Sequence, residues 1–347
     1  MTSLERCMKT INHGIPDCLA VIPQDSHMAA KLGKVNFIDW AHDPHKRARA
    51  ILEQRERFDF DGVIICGETT ILAEAAGAKV AFREDECPRW EAGCIDDYDQ
   101  VKDMAVVDPL KDGRLNVWIE TARQVVKAIG SEYLVIARAD QGAFSMASML
   151  RGMEDFMMDL AMAESDPELK DQIHRLLRYC NECQLAFIKA LKETGAPVAT
   201  SGDSIAGPSV CSPKFYYEYC QPYEKQMALW CKEAGIKFSV HICGSAEPIL
   251  ERWMEAGMEM IEIDHKTDFL AAKAATRGKC TILGNIDTSK MFLGDYNTVF
   301  QATRELIEKN NKEAELIVSS GCMLSQNTPV DNLRAMVAAT REFGRFN

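Results

Sequence analysis

No apolar run in this chain reaches the roughly 18 residues of a membrane-spanning helix, so no helical membrane anchor is expected. The opening residues, Met1-Thr2-Ser3-Leu4-Glu5-Arg6, lack the apolar stretch of a secretion leader, which points to a cytoplasmic protein. Basic residues are in deficit: 40 Lys and Arg stand against 52 Asp and Glu, giving a formal charge of −12. Such a chain is a poor partner for nucleic acid or for an anionic membrane surface. Low-complexity linkers and internal repeats are missing too. Length alone would allow two domains, but an α/β barrel absorbs this length as one, and residues 1–347 are read as a single domain.

What is present is a large apolar content, 47%, enough for a sizeable core, and 27% charged residues, which argues against disorder. Thirteen cysteines are many. In a cytosolic chain they are thiols or metal ligands rather than disulfides. With 17 methionines beside them, the chain is rich in oxidisable sulfur, and an anaerobic host is expected.

Short β-rich runs alternate with helical patterns along almost the whole length. The runs are Leu19–Ile22, Gly62–Cys66, Leu134–Arg138, Val198–Thr200, Lys237–His241, Met260–Asp264, Thr281–Leu283 and Leu316–Ser319. Between them lie amphipathic segments such as Lys46–Arg57, Phe156–Leu191, Pro213–Ala234 and Val299–Lys309. Alternation of this kind implies parallel pairing through crossover helices. Eight units predict a single (β/α)8 TIM barrel of the α/β class, with an N-terminal extension. A doubly wound open sheet is the alternative. Ser212-Pro213 and Thr328-Pro329 read as helix starts. Gly195, Gly235 and Gly257 read as helix stops before strands. Ala78–Lys111 has no clear period and is read as a long loop excursion over the barrel mouth.

Barrel enzymes carry their chemistry at the C-terminal ends of the strands. Those ends are polar here: Glu68 after the second run, Asp140 after the third, Asp203 after the fourth, His241 and Cys243 at the fifth. Asp264 and His265 follow the sixth, Asn285 the seventh and Cys322 the eighth. His241 and Cys243 are two apart, so an extended segment points both the same way. One imidazole and two thiolates suit Zn2+, and three protein ligands leave a fourth position for water or substrate. Cys180 and Cys183 also form a CxxC pair, but inside a helical pattern, where two buried thiols on one face are expected. Glu68 and Asp203 are candidate catalytic carboxylates, and Asp140, His265 and Asn285 candidate substrate contacts. The competing roles are helix caps, loop solvation and backbone turns.

Several motifs resemble one family. Gly202-Asp203-Ser204-Ile205-Ala206-Gly207, followed by Cys211-Ser212-Pro213-Lys214-Phe215-Tyr216, is similar to a D-S-x-A-G…S-P-x-x-F segment of the uroporphyrinogen decarboxylase superfamily. His241-Ile242-Cys243-Gly244, Gly284-Asn285-Ile286-Asp287, Ser320-Gly321-Cys322 and Asn327-Thr328-Pro329-Val330-Asp331-Asn332-Leu333 resemble its branch of methylcobamide:coenzyme M methyltransferases. The resemblance covers most of the chain and is strongest from about Asp203 onward. It implies that His241, Cys243 and Cys322 bind a catalytic zinc. The decarboxylases carry an arginine-rich segment near the N-terminus, whereas Pro23-Gln24-Asp25-Ser26-His27-Met28 has no arginine. Their essential aspartate aligns with Glu68.

Two chemistries follow from the resemblance. In one, a small thiol of the coenzyme M type becomes a zinc-bound thiolate and takes the methyl group of a corrinoid (cobalamin). In the other, a methoxy-aromatic substrate is O-demethylated toward a reduced corrinoid, with Glu68, Asp140 or Asp203 as proton donor and Trp90, Tyr98 and Phe144 lining the pocket. No D-x-H-x-x-G corrinoid motif occurs in the chain, so a separate corrinoid carrier protein is the expected partner. Decarboxylation and a non-enzymatic zinc-binding barrel remain as further alternatives.

Overall fold

In the computed structural model, residues 1–346 are described. Eight parallel strands form one sheet: β1 (Ala20–Val21), β2 (Gly62–Ile65), β3 (Leu134–Gln141), β4 (Val198–Gly202), β5 (Lys237–Ile242), β6 (Met260–Ile263), β7 (Thr281–Ile286) and β8 (Leu316–Ser320). Their order is β1-β8-β7-β6-β5-β4-β3-β2, every neighbouring pair being parallel. Helices cross between successive strands, so the expected (β/α)8 barrel is what forms.

The seam between β1 and β2 is closed by Asp61 rather than by a ladder. Its N–H donates to the Val21 carbonyl at 3.0 Å, and its carboxylate accepts the Val21 N–H at 2.8 Å. Arg6 and Arg341 hold that fully buried carboxylate at 2.6 and 2.8 Å. A buried charge of this kind needs such paired donors to be tolerable.

Alternation along the strands divides the core in two. Ile22, Ile64, Leu134, Ile136, Val198, Met260, Leu283 and Ile317 pack inside the ring. Their outward neighbours, such as Val63, Val135, Val240 and Ile282, pack under the helices. The N-terminal extension is a helix, Ser3–Ile11, started by a capping box between Thr2 and Glu5. Leu4, Cys7, Met8 and Ile11 join the inner cluster, and the Leu4 N–H donates to Glu132 just ahead of β3. This helix therefore plugs the end of the barrel opposite the mouth.

The Ala78–Lys111 segment contains a hairpin (Lys79–Ala81 with Arg89–Ala92) and a 3-10 turn over Tyr98–Asp103. Its backbone bonds to Phe37, Leu150 and the Gln326 side chain, all beyond strand C-terminal ends. Strands this short leave no readable period.

The expected helix over 156–191 is two helices, Met153–Met162 and Pro167–Lys192. Asp166 caps the second, accepting the Glu168 and Leu169 N–H groups, with Pro167 in its first turn. The expected helix over 213–234 is interrupted by a π turn at Tyr216–Cys220, just before Pro222, which has no N–H to continue the ladder. Ser212 caps as expected. Thr328 makes no capping bond to the last helix, Val330–Phe343. Gly257 ends the helix Leu250–Ala256 at φ 83°, the left-handed stop anticipated for it. Among the described residues, no helix is long and apolar enough to cross a membrane.

Candidate metal centre

β5 delivers His241 to the inner face, and Cys243 follows two residues later on the same side. Cys322 comes from the loop after β8, across the mouth. The His241 Nε2 to Cys243 Sγ distance is 3.4 Å, Cys322 Sγ to His241 Nε2 is 3.5 Å, and the two sulfurs are 3.6 Å apart. An ion held tetrahedrally by two thiolates and an imidazole needs edges of about 3.8 Å for S···S and about 3.5 Å for S···N, from Zn–S near 2.3 Å and Zn–N near 2.0 Å. The observed triangle fits. Among the described residues no other group of three such ligands converges.

The surroundings fix the ligands. His241 Nδ1 lies 3.1 Å from the Glu262 carbonyl, so it carries the ring proton and leaves Nε2 free for a metal. Ser204 Oγ donates to Cys243 Sγ at 3.1 Å. Gly244, in the left-handed region at φ 87°, turns the chain so that its N–H meets Asp264 Oδ2 at 2.9 Å. His241 is buried, while the Cys243 and Cys322 residues are partly exposed.

Without a metal, the two thiols and the imidazole share protons. The contact with Cys322, with His241 and Ser204 adding to it, pushes the Cys243 thiol well below its ordinary value. The same contact and burial push the Cys322 thiol up. Burial presses His241 down, but Cys243 outweighs it and raises the imidazole. A divalent cation would displace the protons these sulfurs share when it binds.

The other strand-end residues are differently engaged. Glu68 is buried and bidentate to Arg114 (2.7 and 2.8 Å), and Thr70 donates to it at 2.9 Å. Asp203 is buried, with Oδ1 accepting the Ser145 N–H at 2.8 Å and so capping the helix Ala143–Arg151. Gly142 permits this approach, since a Cβ there would lie 2.3 Å from Asp203 Oδ2. Burial pushes the Asp203 carboxyl up to about 6.

Asp140 occupies an irregularity between β3 and β4, at φ 55°. Its Oδ2 accepts the Leu72 N–H at 2.8 Å, while Oδ1 is buried with no partner. Burial, with Glu68 adding, pushes this carboxyl up to about 8. Asn285 spends its side-chain amide on the carbonyls of Asp264 (3.2 Å) and Thr267 (2.9 Å). His265 lies between Asp264 (2.9 Å) and Asp287 (3.6 Å). It borders a cavity of about 230 Å³ between the loops after β6 and β7, which the three ligands do not line.

The aromatic candidates are largely occupied. Phe144 is fully buried against Phe156, and Tyr98 is buried with its hydroxyl on Asp159. Trp90 donates to the Met149 carbonyl. Cys180 and Cys183 are buried on one long helix.

Sequence reasoning did not single out a polar layer just beneath the ligands. Arg138 Nη2 pairs with Glu262 at 2.5 Å and lies 3.3 Å from Gln24 Oε1; Thr200 donates to Glu262. The signal was available: Arg138 and Glu262 are charges at inward positions of buried strands. Ser204, the donor to Cys243, was seen only as part of a motif.

The family model for uroporphyrinogen decarboxylase (URO-D) matches residues 2–343. Among curated relatives, the methylcobamide:CoM methyltransferase MtbA of Methanosarcina mazei is 25% identical over 250 residues, covering 72% of this chain and 69% of the relative. The methylcobamide:CoM methyltransferase MtaA of Methanosarcina barkeri is 24% identical over 310 residues, covering 87% and 85%. A uroporphyrinogen decarboxylase of Aromatoleum aromaticum is 23% identical over 315 residues, covering 89% and 86%. The solved structure of a methyltransferase from Methanosarcina mazei superposes with a TM-score of 0.87 at 20% identity, covering 99% of both chains. The chain belongs to the uroporphyrinogen decarboxylase (URO-D) family.

Proposed function

We propose that this protein is a zinc-dependent methyltransferase that moves a methyl group between a corrinoid and a small substrate activated at the His241–Cys243–Cys322 centre. The observation that carries this reading is the ligand triangle, whose edges suit a tetrahedral divalent ion at a barrel mouth. The similarity to methylcobamide:CoM methyltransferases supports the corrinoid part.

When bound, zinc supplies Lewis acidity, keeping a coordinated thiol deprotonated or polarising an ether oxygen. The chain's own residues do the rest. Cys243 and Cys322 balance a dication's charge. Glu262 holds the His241 tautomer, and Ser204 fixes the Cys243 sulfur. We read Glu68 and Asp203, candidate catalytic carboxylates, as also orienting Arg114 and the helix after β3. Asp140, with one oxygen free and its acid form favoured, is the carboxyl best suited to hold a proton at Oδ1.

A corrinoid is too large for a few loop residues to hold, and we assign it to a carrier protein docking on the strand-C-terminal face. The absence of arginine from Pro23–Met28 weighs against a polycarboxylate porphyrin substrate. Thirteen unpaired cysteines suit a reducing, cytoplasmic setting.

Metal analysis of the purified protein, with the cobalamin absorbance spectrum followed on adding a thiol or an aryl methyl ether, tests the reading. Stoichiometric zinc and a substrate-dependent change in the cobalt spectrum are expected. A metal-free protein that leaves the spectrum unchanged with both substrates sinks it.

A further inference from the structure

Four side-chain atoms in the barrel interior have no hydrogen-bond partner: Gln24 Nε2, Arg138 Nε, Ser239 Oγ and Ser319 Oγ. Their residues are all buried, none more than 4% exposed. Strand alternation puts them on the inner face. Ile22, Ile136 and Ile317, each two residues earlier, belong to the inner core. Ser239 alternates with the outward Phe238 and Val240 and shares the face of His241. Burying one such group unpaired costs roughly 1–3 kcal/mol, so four in one layer call for an occupant.

The layer adjoins the metal centre. The Glu262 carbonyl receives His241, and the Glu262 carboxylate holds Arg138. The Gln24 carbonyl accepts the Leu324 N–H at 2.7 Å, and its own N–H donates to Ser320 at 3.1 Å, tying Gln24 to the loop that carries Cys322.

Charge decides what fits. Arg138 is the cation of this layer, and Glu262 already neutralises it. Above it Asp264 adds a negative charge, and Glu68 is committed to Arg114. All four unpartnered groups can donate, yet within this layer no cation is left over for an anion; Arg47, buried without an ion-pair partner, lies outside it, on the Cys66 carbonyl between Trp40 and Trp118. Donors without surplus positive charge match an uncharged oxygen acceptor better than a carboxylate or sulfonate.

We propose that Gln24, Arg138, Ser239 and Ser319 form a subsite for an uncharged oxygen acceptor (ether, hydroxyl or carbonyl) on the substrate. This rests on the metal-dependent transfer proposed above and names the substrate class for the same site.

The test is calorimetric titration of the zinc-loaded protein with three probes: 2-methoxyphenol, 2-mercaptoethanol and 2-mercaptoethanesulfonate. The expected result is that 2-methoxyphenol binds, and that Gln24→Leu and Ser319→Ala each weaken it about tenfold, the worth of one buried hydrogen bond. Zinc content and melting temperature stay at wild-type values. The sulfonate thiol binds no more tightly than 2-mercaptoethanol. The subsite is overturned if 2-methoxyphenol fails to bind, or if both variants bind it like the wild type, in which case the donors serve internal water. It is overturned equally if the sulfonate thiol binds tenfold tighter than 2-mercaptoethanol and Gln24→Leu abolishes the difference. Zinc-free wild-type protein would overturn the underlying transfer reading instead.

Discussion

At the ends of β5 and β8, His241 Nε2, Cys243 Sγ and Cys322 Sγ have mainly one another within reach. At the ends of β2 and β4, Glu68 has both oxygens taken by Arg114 and Thr70, and Asp203 has Oδ1 taken by the Ser145 N–H. Both sets are polar, lie at the mouth and cost free energy to bury. They differ in unspent coordinating capacity. A side chain whose lone pairs are taken by the protein holds the fold; one whose lone pairs converge on an unshared point can hold something else.

The sharpest way to break this contrast is to remove a sulfur. Cys243→Ala and Cys322→Ala should each lose bound zinc and methyl-transfer activity altogether, with circular dichroism and melting temperature close to wild type. His241→Ala should behave likewise. The barrel is held by its own inner and outer cores and by the Asp61 seam, and His241, Cys243 and Cys322 are members of neither core. Unfolding of these variants at room temperature, seen by circular dichroism, would make the centre structural and erase the distinction.

Glu68→Gln probes the opposite side. It leaves Arg114 facing a neutral amide in a buried site, and breaking a buried ion pair costs about 3–5 kcal/mol. Glu74 still pairs with Arg114, so the lower end of that range is expected. Urea denaturation measures the loss, and zinc stoichiometry should not change. If activity vanishes at unchanged stability, Glu68 belongs with the reacting groups.

How much of this was readable in advance follows from the same physics. The barrel was legible because eight β-rich runs punctuated by helices leave few alternatives. The convergence of His241 and Cys243 was legible because His, x, Cys at a strand end fixes a common face whatever the loops do. Engagement was not legible. That Glu68 meets Arg114, 46 residues away, depends on where the helix Leu115–Ile129 begins. That Asp203 caps the helix after β3 depends on Gly142 allowing close approach. The break at Asp166-Pro167 was visible in the residues but was masked by a continuous amphipathic pattern on either side.

Asp140 falls between the two classes, with one oxygen engaged and the other free. Burial raises its carboxyl in the folded protein to about 8, against about 3.9 in an unfolded chain. Between those values the folded state holds a proton that the unfolded chain has released. Stability therefore falls as pH rises through the window, by at most about 1.4 kcal/mol per pH unit from this group. Asp140→Asn keeps an acceptor for Leu72 and removes the titration. The variant should melt higher than wild type at pH 8.5 and close to it at pH 4. Parallel melting curves at both pH values would mean that Asp140 is ionised in the fold and has no proton to give.

The smallest effect expected is also the finest test of the contrast. Ser204 touches no metal, yet its hydroxyl donates to the Cys243 sulfur at 3.1 Å. A donor of this kind stabilises the thiolate and holds its direction, and loss of an outer partner of a metal ligand weakens metal binding about 10- to 100-fold. A hydroxyl on sulfur is a weak bond, so Ser204→Ala should fall at the low end, near tenfold, in competition with a chromophoric chelator. Its stability should be unchanged, because the Ser204 side chain supports the centre and not the barrel. Zinc affinity equal to wild type would show that the β5 and β8 ligands hold their geometry unaided, and the boundary between fold-holding and metal-holding groups would then run inside Ser204 rather than outside it.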